Sequence, residues 1–295
     1  MTEGRRMPVS NVPNHMNRPP AVGAEPPVAI AVRATSVTKT FGVGDRSVHA
    51  LGPFTLNVEA GEFTCIVGPS GCGKSTFIKL VAGLGSPTSG EIDLRVAATT
   101  LAPTATVFQD YGIFPWKTVE GNVLFGPRTV GVGKADAREK AAYWIERLGL
   151  SDFTRSYPGS LSGGMRQRVA IARAMATEPD ILLMDEPFAA LDAQMREILQ
   201  DLLLEVCENT RRTVVFVTHS LEEAVILGDR VVVMSARPGR IIDDIRVPFG
   251  RPRDSGIRGS SEFGDIRGRL WGHLRQEVLG QIAGQAHQGH GGVRS

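Results

Sequence analysis

The stretch GPSGCGKST, at residues 68–76, restricts the possible folds of this chain more than any other part of the sequence. It has the spacing G-x-x-x-x-G-K-[ST] of a phosphate-binding P-loop, with Gly68, Gly73, Lys74 and Ser75 at the defining positions. The apolar run FTCIVG precedes it and a helical run follows it, which is the context that such a loop requires. A glycine-rich turn that binds nothing is the alternative, and this context makes it the weaker one.

Each part of this loop has a chemical reason to contact a nucleotide. Glycines let the backbone fold around phosphate oxygens, and the N-terminus of the following helix attracts an anion. We expect Lys74 to reach the β- and γ-phosphates and the Ser75 hydroxyl to ligate Mg²⁺. The predicted nucleotide contacts in the loop are Gly68, Pro69, Ser70, Gly71, Cys72, Gly73, Lys74, Ser75 and Thr76.

A pair of carboxylates follows a second apolar run, ILLMDEP, at residues 181–187. A buried strand here would deliver Asp185 to its carboxyl end, where phosphate sites of open α/β sheets lie, so that Asp185 supports the metal. Glu186 is then placed to act as a general base towards water. An isolated Asp-Glu pair is more often a solvated turn, and the position downstream of a P-loop favours the catalytic interpretation.

The order of strand-like and helix-like runs predicts an α/β fold. Short β-rich runs begin at Ala29, and beyond residue 160 helical runs alternate with apolar strands such as ILLMDEP and TVVFVTHS. This alternation predicts a parallel sheet covered on both faces. Residues 110–160 differ, with a loop around FPWKTVEGN and then the helical run ADAREKAAYWIERLGL, which together predict an inserted helical subdomain.

Composition excludes several classes of function. With 33 Lys and Arg against 31 Asp and Glu, the chain lacks the basic excess of a nucleic-acid-binding protein. The three cysteines, Cys65, Cys72 and Cys207, have no paired spacing, so we expect reduced thiols. No window approaches the roughly 20 apolar residues of a membrane span, so we expect that this chain does not cross a membrane.

Both ends of the chain have a different character from the centre. Residues 1–28 are rich in Pro and Asn and predict a disordered extension rather than a secretory signal. The tail at residues 251–295 begins with RPRDSGIRGSS, which is typical of a linker, and continues with one candidate helix, EFGDIRGRLWGHLRQEVLGQI. It ends in QAHQGHGGVRS, whose histidines are better explained by a flexible end than by a metal site.

Four further segments carry a family resemblance. LSGGMRQRVAIARAMATEPDILLMDEP resembles the signature and Walker B region of ABC-transporter ATPases, FQDYGIFPWKTVEGNV their Q-loop region, FAALDA their D-loop and VTHSLEEA their switch-histidine loop. The similarity covers about residues 30–250 in the family's order. It implies a RecA-like P-loop NTPase core with an antiparallel β portion, together with a helical subdomain at about residues 110–165.

The resemblance also implies roles for single residues. Gln109 matches the Q-loop glutamine, a catalytic and metal contact, and His219 matches the switch histidine near the γ-phosphate, although a lone histidine after a strand is more often packed or capping. Phe41 is the aromatic expected to stack on adenine, with a core phenylalanine as the alternative. The remaining matches are Ser162, Gly163 and Gly164 of the signature loop and Asp192 of the D-loop, which in this family serve the nucleotide of a second subunit.

Two departures from the family pattern are Met165, where glutamine is usual, and Ala189, where serine is usual. LSGGMRQR, FPWKTVEGNV and SARPGRI together resemble the importers of nitrate, aliphatic sulfonates and taurine. The resemblance therefore implies an importer ATPase that uses ATP and Mg²⁺ at the cytoplasmic face of the inner membrane. Its implied partners are a second ATPase subunit, most simply an identical one, a transmembrane permease and, indirectly, a solute-binding protein, with no nucleic acid.

Two other classes of function remain as alternatives. One is a soluble ABC ATPase that acts on nucleic acid or ribosomes, but such proteins commonly have two cassettes or a long coiled-coil insertion, and neither occurs here. The other is a regulatory protein that binds ATP without hydrolysing it, which the presence of Lys74, Glu186 and His219 makes improbable.

Overall fold

The structure is a computed structural model that describes residues 29–96, 100–210, 212–253 and 255–288. The expectations for residues 1–28 and for the end of the chain after residue 288 lie outside these ranges. Among the described residues, no helix combines the length and the apolar character needed to cross a membrane.

The strands form two sheets. In chain order they are β1 Ile30–Phe41, β2 Val48–Glu59, β3 Phe63–Val67, β4 Ser89–Leu94, β5 Thr104–Val107, β6 Ile181–Asp185, β7 Thr213–Val217, β8 Arg230–Met234 and β9 Ile241–Arg246. The larger sheet has the order β5-β6-β7-β3-β8-β9 and is parallel except for β9, which pairs with β8 in the antiparallel sense. The smaller sheet, β2-β1-β4, is antiparallel.

Seven α-helices and four short 3-10 helices complete the described part of the chain, and the α-helices position the site. They are α1 Lys74–Val81, α2 Val119–Thr129, α3 Lys134–Arg147, α4 Gly163–Ala176, α5 Ala193–Thr210, α6 Leu221–Leu227 and α7 Ser261–Gln288. Helices α2 and α3 pack on each other and on α4, and these three form the helical portion of the molecule. The α/β P-loop fold class expected from the sequence is confirmed, with an antiparallel sheet beside a mainly parallel one.

Helix α2 begins at Val119, inside the segment FPWKTVEGN in which the sequence pattern indicated a loop, and it continues to Thr129. Its residues include Gly121, Gly126 and Pro127, which are poor helix formers. Thr118 caps its first turn by accepting a hydrogen bond from the Gly121 N–H at 3.1 Å. At Gly126 an added Cβ would lie 2.1 Å from Thr177 Oγ1, so the glycine allows α2 to approach the end of α4 closely.

The larger sheet separates two apolar cores. Strands β3, β6 and β7 are buried at every residue, which explains their continuous apolar sequences. Neighbouring residues of β3 face opposite sides, because Cys65 and Val67 join the core that contains Trp144, whereas Ile66 joins the core with Phe77 from α1. The sheet is therefore covered on both faces, as predicted.

This topology brings distant loops to one edge of the sheet. The P-loop follows β3, Asp185 ends β6 with Glu186 directly after it, and His219 lies just beyond β7; these three strands are parallel neighbours. Since the carboxyl ends of parallel strands lie at the same edge, the candidate side chains converge there.

The segment after Gly250 packs against the core and differs from the linker that its composition indicated. Arg253 is almost fully buried, with its side chain 1% exposed, and pairs with Asp229 at 3.1 Å. Arg251 also pairs with Asp229, at 2.9 Å. Phe263 and Leu270 of α7 are buried, so this helix packs against the domain.

Candidate active site

The P-loop wraps around the ammonium group of Lys74. Gly71 and Gly73 adopt φ values of +73° and +113°, which side chains rarely tolerate, so the loop depends on glycine at these two positions. Helix α1 begins directly at Lys74, whose side chain is buried. Lys74 Nζ donates to the carbonyl oxygens of Gly68 at 2.8 Å and Pro69 at 3.0 Å. A positive charge and a helix N-terminus therefore meet at one place, which favours an anion.

Asp185 lies beside the start of α1. The Ser75 hydroxyl donates a hydrogen bond to Asp185 Oδ1 at 3.0 Å. Burial raises the pKa of the Asp185 carboxyl, and the hydrogen bond from Ser75 opposes that effect. A hydroxyl and a carboxylate are hard oxygen donors of the kind that Mg²⁺ prefers, and Mg²⁺ is commonly held by one or two carboxylates together with substrate phosphates. The described residues contain no group of three or more His, Cys, Asp or Glu side chains that could hold a metal alone.

Two side chains contact the carboxylate of Glu186. Gln109 Nε2 donates to Glu186 Oε2 at 3.4 Å, and His219 Nδ1 lies 3.3 Å from the same oxygen. The Glu186 backbone has a φ of +49°, and its N–H donates to the Val217 carbonyl at 2.9 Å. This strained conformation directs the residue that follows Asp185 away from the strand and towards the P-loop.

The P-loop and the Glu186 cluster border one cavity of about 550 Å³. Its lining consists of Phe41, Val48, Ala50, Ser70, Gly71, Gly73, Lys74, Ser75, Thr76, Gln109, Glu186, His219 and Arg237. Phe41 lies at the mouth of the cavity and is 49% exposed, so it is not a core phenylalanine. Three predicted residues lie just behind the lining: Lys74 donates to the carbonyls of Gly68 and Pro69, and Ser75 donates to Asp185. Cys72 is buried within the loop.

The signature and D-loop residues do not line this cavity. Ser162 is exposed and caps α4, accepting a hydrogen bond from the Met165 N–H at 3.2 Å. Gly164 packs beside the D-loop, because a Cβ there would lie 3.4 Å from Leu191 Cδ2. Asp192 caps the next helix through the Met195 N–H at 2.9 Å. Ser162, Gly163, Gly164 and Asp192 therefore belong to a second surface that offers a helix N-terminus to the outside.

Arg237 is the charged lining residue that the sequence analysis did not identify. Its Nε and Nη2 atoms donate to the Gly71 carbonyl at 3.2 and 3.0 Å. The segment SARPGRI contains it, but this segment suggested only a subfamily. A basic residue in a short turn between two strands is a weak signal on its own, because sequence spacing does not show which loop the turn contacts.

The fold and the cavity together define a class of protein. A mainly parallel sheet carries a P-loop at its carboxyl edge, and a buried aspartate, a glutamate, a glutamine and a histidine are gathered beside it. This arrangement is that of a P-loop nucleoside triphosphatase.

The comparisons with known proteins identify the family. The family model described as ABC transporter matches residues 51–189. The taurine import ATP-binding protein TauB of Roseobacter denitrificans is 42% identical over 238 residues, which cover 80% of this chain and 87% of that protein. The nitrate import ATP-binding protein NrtD of a Synechocystis strain is 44% identical over 216 residues, covering 72% of this chain and 81% of that protein.

A solved structure agrees with these relatives. The ATP-binding cassette MJ0796, in a dimeric post-hydrolysis state bound to ADP and phosphate, superposes with a TM-score of 0.67 at 32% identity, over 74% of this chain and 100% of that one. The chain belongs to the ATP-binding proteins of the ABC transporter family, and it is an ATPase.

Proposed function

We propose that this chain is the ATP-hydrolysing subunit of an importer for nitrate, a sulfonate or taurine, attached peripherally to the cytoplasmic face of the inner membrane. The observation that carries the proposal is the Glu186 carboxylate, which Gln109 and His219 contact at the edge of the P-loop cavity. The solute class rests on the relatives that import taurine and nitrate.

The cavity supplies a contact for each part of ATP. Phe41, at the mouth, stacks on the adenine ring, and the P-loop backbone and Lys74 hold the phosphates. Ser75 and Gln109 would hold Mg²⁺, and Asp185 would support it through its hydrogen bond with Ser75. Held there, Mg²⁺ would neutralise charge on the β- and γ-phosphates.

Glu186 and His219 carry the chemical step. Glu186 accepts a proton from a water molecule whose oxygen attacks the γ-phosphorus, and the bond between that phosphorus and the β–γ bridging oxygen breaks. The products are ADP and inorganic phosphate, and the proton passes to the Glu186 carboxylate. His219, 3.3 Å from that carboxylate, orients it and contacts the γ-phosphate.

A second copy of the chain completes the site. Ser162, Gly163 and Gly164 lie at the start of α4 but outside the cavity of their own chain. In a head-to-tail dimer these residues, together with Asp192, face the γ-phosphate bound by the other copy. ATP then holds the two copies together, and hydrolysis separates them.

The permease contacts the exposed aromatic surface beside Gln109. Trp116 is 70% exposed, and its ring lies 5.5 Å from that of Phe114. Such an exposed apolar group suits a protein interface. Gln109 then links the permease contact to Glu186, so substrate delivery by the solute-binding protein and hydrolysis are coupled.

Uptake measurements test this function. A strain that lacks the gene is given wild type or Glu186→Gln, and uptake of labelled taurine, an alkanesulfonate and nitrate is measured. We expect uptake of one of these solutes to return with the wild type only. Uptake restored equally by both, with expression verified, would exclude hydrolysis as the driving reaction, and no uptake of any of the three would exclude the proposed solute class.

A further inference from the structure

The turn between β8 and β9, residues 235–240, connects the candidate site with the C-terminal helix. Its shape is held internally, since the Ser235 N–H donates to the Arg240 carbonyl at 2.8 Å and the Arg240 N–H donates to Ser235 Oγ at 3.0 Å. These two hydrogen bonds hold the two ends of the turn together.

One side of this β8–β9 turn lies directly on the P-loop. A Cβ added to Gly239 would stand only 2.1 Å from the Cys72 carbonyl oxygen, so the two backbones touch. The Gly239 N–H also donates to the Ala50 carbonyl at 3.1 Å, and Ala50 lines the cavity. The position of this turn is thus tied to the position of the phosphate-binding backbone.

Arg237 projects from the turn to the cavity. Two of its nitrogens bind the Gly71 carbonyl, which uses two of the five N–H groups of a guanidinium. In the part of the chain that the structure describes, its other N–H groups have no protein partner. An exposed guanidinium that is oriented by the P-loop and lines the same cavity as Lys74 can bind a phosphate oxygen.

The other side of the turn is held by α7. Glu277 Oε2 accepts a hydrogen bond from the Ala236 N–H at 2.7 Å, one residue before Arg237. The helix is also anchored to β9, because Arg269 donates to Asp243 at 2.7 and 2.9 Å and His273 Nε2 lies 2.8 Å from the same carboxylate. Helix α7 therefore fixes the backbone from which Arg237 extends.

We infer that Arg237 is a nucleotide-binding residue that contacts the phosphates, and that Glu277 of α7 is the positioning residue that holds it in place. The inference rests on the proposed function of the cavity. It gives the segment after residue 250 a role in nucleotide affinity.

Binding of nucleotide to the full-length chain tests the contact. Calorimetric titration uses MgADP and the Mg²⁺ complex of a non-hydrolysable ATP analogue, adenylyl imidodiphosphate, at low and high salt. Arg237→Gln should weaken binding of at least one of them about tenfold, as expected for a lost charged hydrogen bond, and high salt should reduce the difference.

Arg240→Gln is the matched control. Arg240 lies in the same turn, but its side chain packs beside Gly52 and does not line the cavity. We expect the nucleotide affinity of Arg240→Gln to stay within about twofold of wild type, because the Arg240 charge is not expected to contact the nucleotide. The assignment of Arg237 would be overturned if Arg237→Gln and Arg240→Gln bound each nucleotide with the same affinity. This holds whether that affinity is that of wild type or lower.

Variants of Glu277 test the positioning role. Glu277→Ala should weaken binding about threefold, whereas Glu277→Gln should bind like wild type, because an amide oxygen can still accept from the Ala236 N–H. Glu262→Ala, at the other end of the same helix, is the control. Glu277→Ala should have no further effect in an Arg237→Gln background, since the side chain that it positions is gone. The positioning role of Glu277 would be overturned if Glu277→Ala alone did not lower nucleotide affinity. It would also be overturned if Glu277→Ala lowered affinity as much in the Arg237→Gln background as in the wild-type background.

Lys74→Ala separates the inference from the proposed function. If wild type fails to bind nucleotide, or Lys74→Ala binds as tightly as wild type, the proposed function of the cavity fails. If both behave as expected and Arg237→Gln still binds normally, the inference fails alone.

Discussion

At the scale of single residues, Glu186 combines an unusual backbone conformation with a carboxylate that faces the cavity. It adopts a positive φ of 49°, although it is not glycine, and its carboxylate is approached by Gln109 and His219. Backbone strain of this kind persists only where surrounding contacts hold it, and the hydrogen bond to Val217 is one of them. The strained backbone lowers the stability of the fold, and it fixes the direction of the Glu186 carboxylate.

Glu186→Gln is therefore predicted to remove catalysis and retain binding. The amide has nearly the same shape but cannot accept the proton, so kcat should fall at least about a hundredfold, with nucleotide affinity within about threefold of wild type. Steady-state phosphate release and equilibrium binding measure the two quantities. Glu222→Gln, an exposed glutamate near the same edge, is the control and should keep its activity. Loss of binding in Glu186→Gln would contradict the assigned role.

Glu223 is a buried carboxyl at the start of α6. Burial raises the pKa of its carboxyl, against the opposing effects of the Thr218 hydrogen bond and of Arg196. The carboxyl in the folded state therefore holds its proton to a higher pH than the unfolded value of about 4.3. Its contribution to stability is complete below about pH 4 and is lost as the pH rises through the folded-state pKa.

The raised pKa of Glu223 can be tested by comparing the stability of wild type with that of Glu223→Gln. The free energy of unfolding of wild type relative to Glu223→Gln should decrease as the pH rises from about 4 towards 7. Urea unfolding at several pH values measures it. Glu262→Gln, at an exposed position, is measured alongside as the control. A difference for Glu223→Gln that grows with pH would show that the carboxylate is stabilised in the fold.

The residues that could be predicted from sequence are those whose signal is local. The P-loop, Asp185 and Glu186 each follow an apolar strand in a short recognisable pattern. Arg237 could not be found in this way, because its contact with Gly71 depends on β8 lying next to β3 in the sheet. That order joins segments 166 residues apart in the chain.

At the scale of the elements, α2 shows how one buried side chain can hold a loop. Asn122 is fully buried, and its Oδ1 accepts from the Phe114 N–H at 2.7 Å. Its Nδ2 donates to the carbonyl oxygens of Phe114, Lys117 and Thr118 at 3.0 to 3.1 Å. The loop that presents Trp116 is therefore pinned to the first turn of the helix.

Asn122→Ala is predicted to lower the free energy of unfolding by about 3 kcal/mol, because several buried polar groups lose their partner together. Urea denaturation gives the value. Asn57→Ala, on an exposed position of β2, is the control and should change stability by less than about 0.5 kcal/mol. An equal effect of the two substitutions would show that the network around Asn122 contributes nothing.

Burial explains which elements the sequence indicates. Strands β3, β6 and β7 are buried throughout, so each is a continuous apolar run. Strand β4 is mostly exposed and β5 has only four residues, three of them half-buried, so neither carries an apolar pattern. Helix α2 lacks the pattern for a different reason, because its close approach to α4 requires Gly126.

At the scale of the whole molecule, the proposed function assigns phosphate binding to two separate surfaces of the chain. One is the P-loop cavity, and the other is the exposed start of α4 at Ser162. Both contain a helix N-terminus, and the start of α4 lies outside the cavity of its own chain. Two copies arranged head to tail would use both, so the fold predicts a dimer that ATP holds together.

Ser162 allows a test of this dimer with a closely matched pair of variants. Asp and Asn both cap a helix as well as Ser does, so either can accept the Met165 N–H and preserve α4. Asp adds a negative charge that would face the γ-phosphate of the partner's ATP, whereas Asn does not. In a Glu186→Gln background with MgATP, we expect Ser162→Asp to weaken dimerisation at least about tenfold and Ser162→Asn to leave it nearly unchanged.

Sedimentation velocity gives the dimer fraction, and nucleotide titration of the monomer gives the control. Because Ser162 does not line the cavity of its own chain, binding of MgATP by the monomer should stay within about twofold in both variants. Dimerisation that is equally strong in Ser162→Asp and Ser162→Asn would place the start of α4 away from the partner's phosphate. If both variants lost the dimer, the Ser162 hydroxyl itself would make a contact across the interface. Neither the carboxylate of Asp nor the amide of Asn would replace that contact.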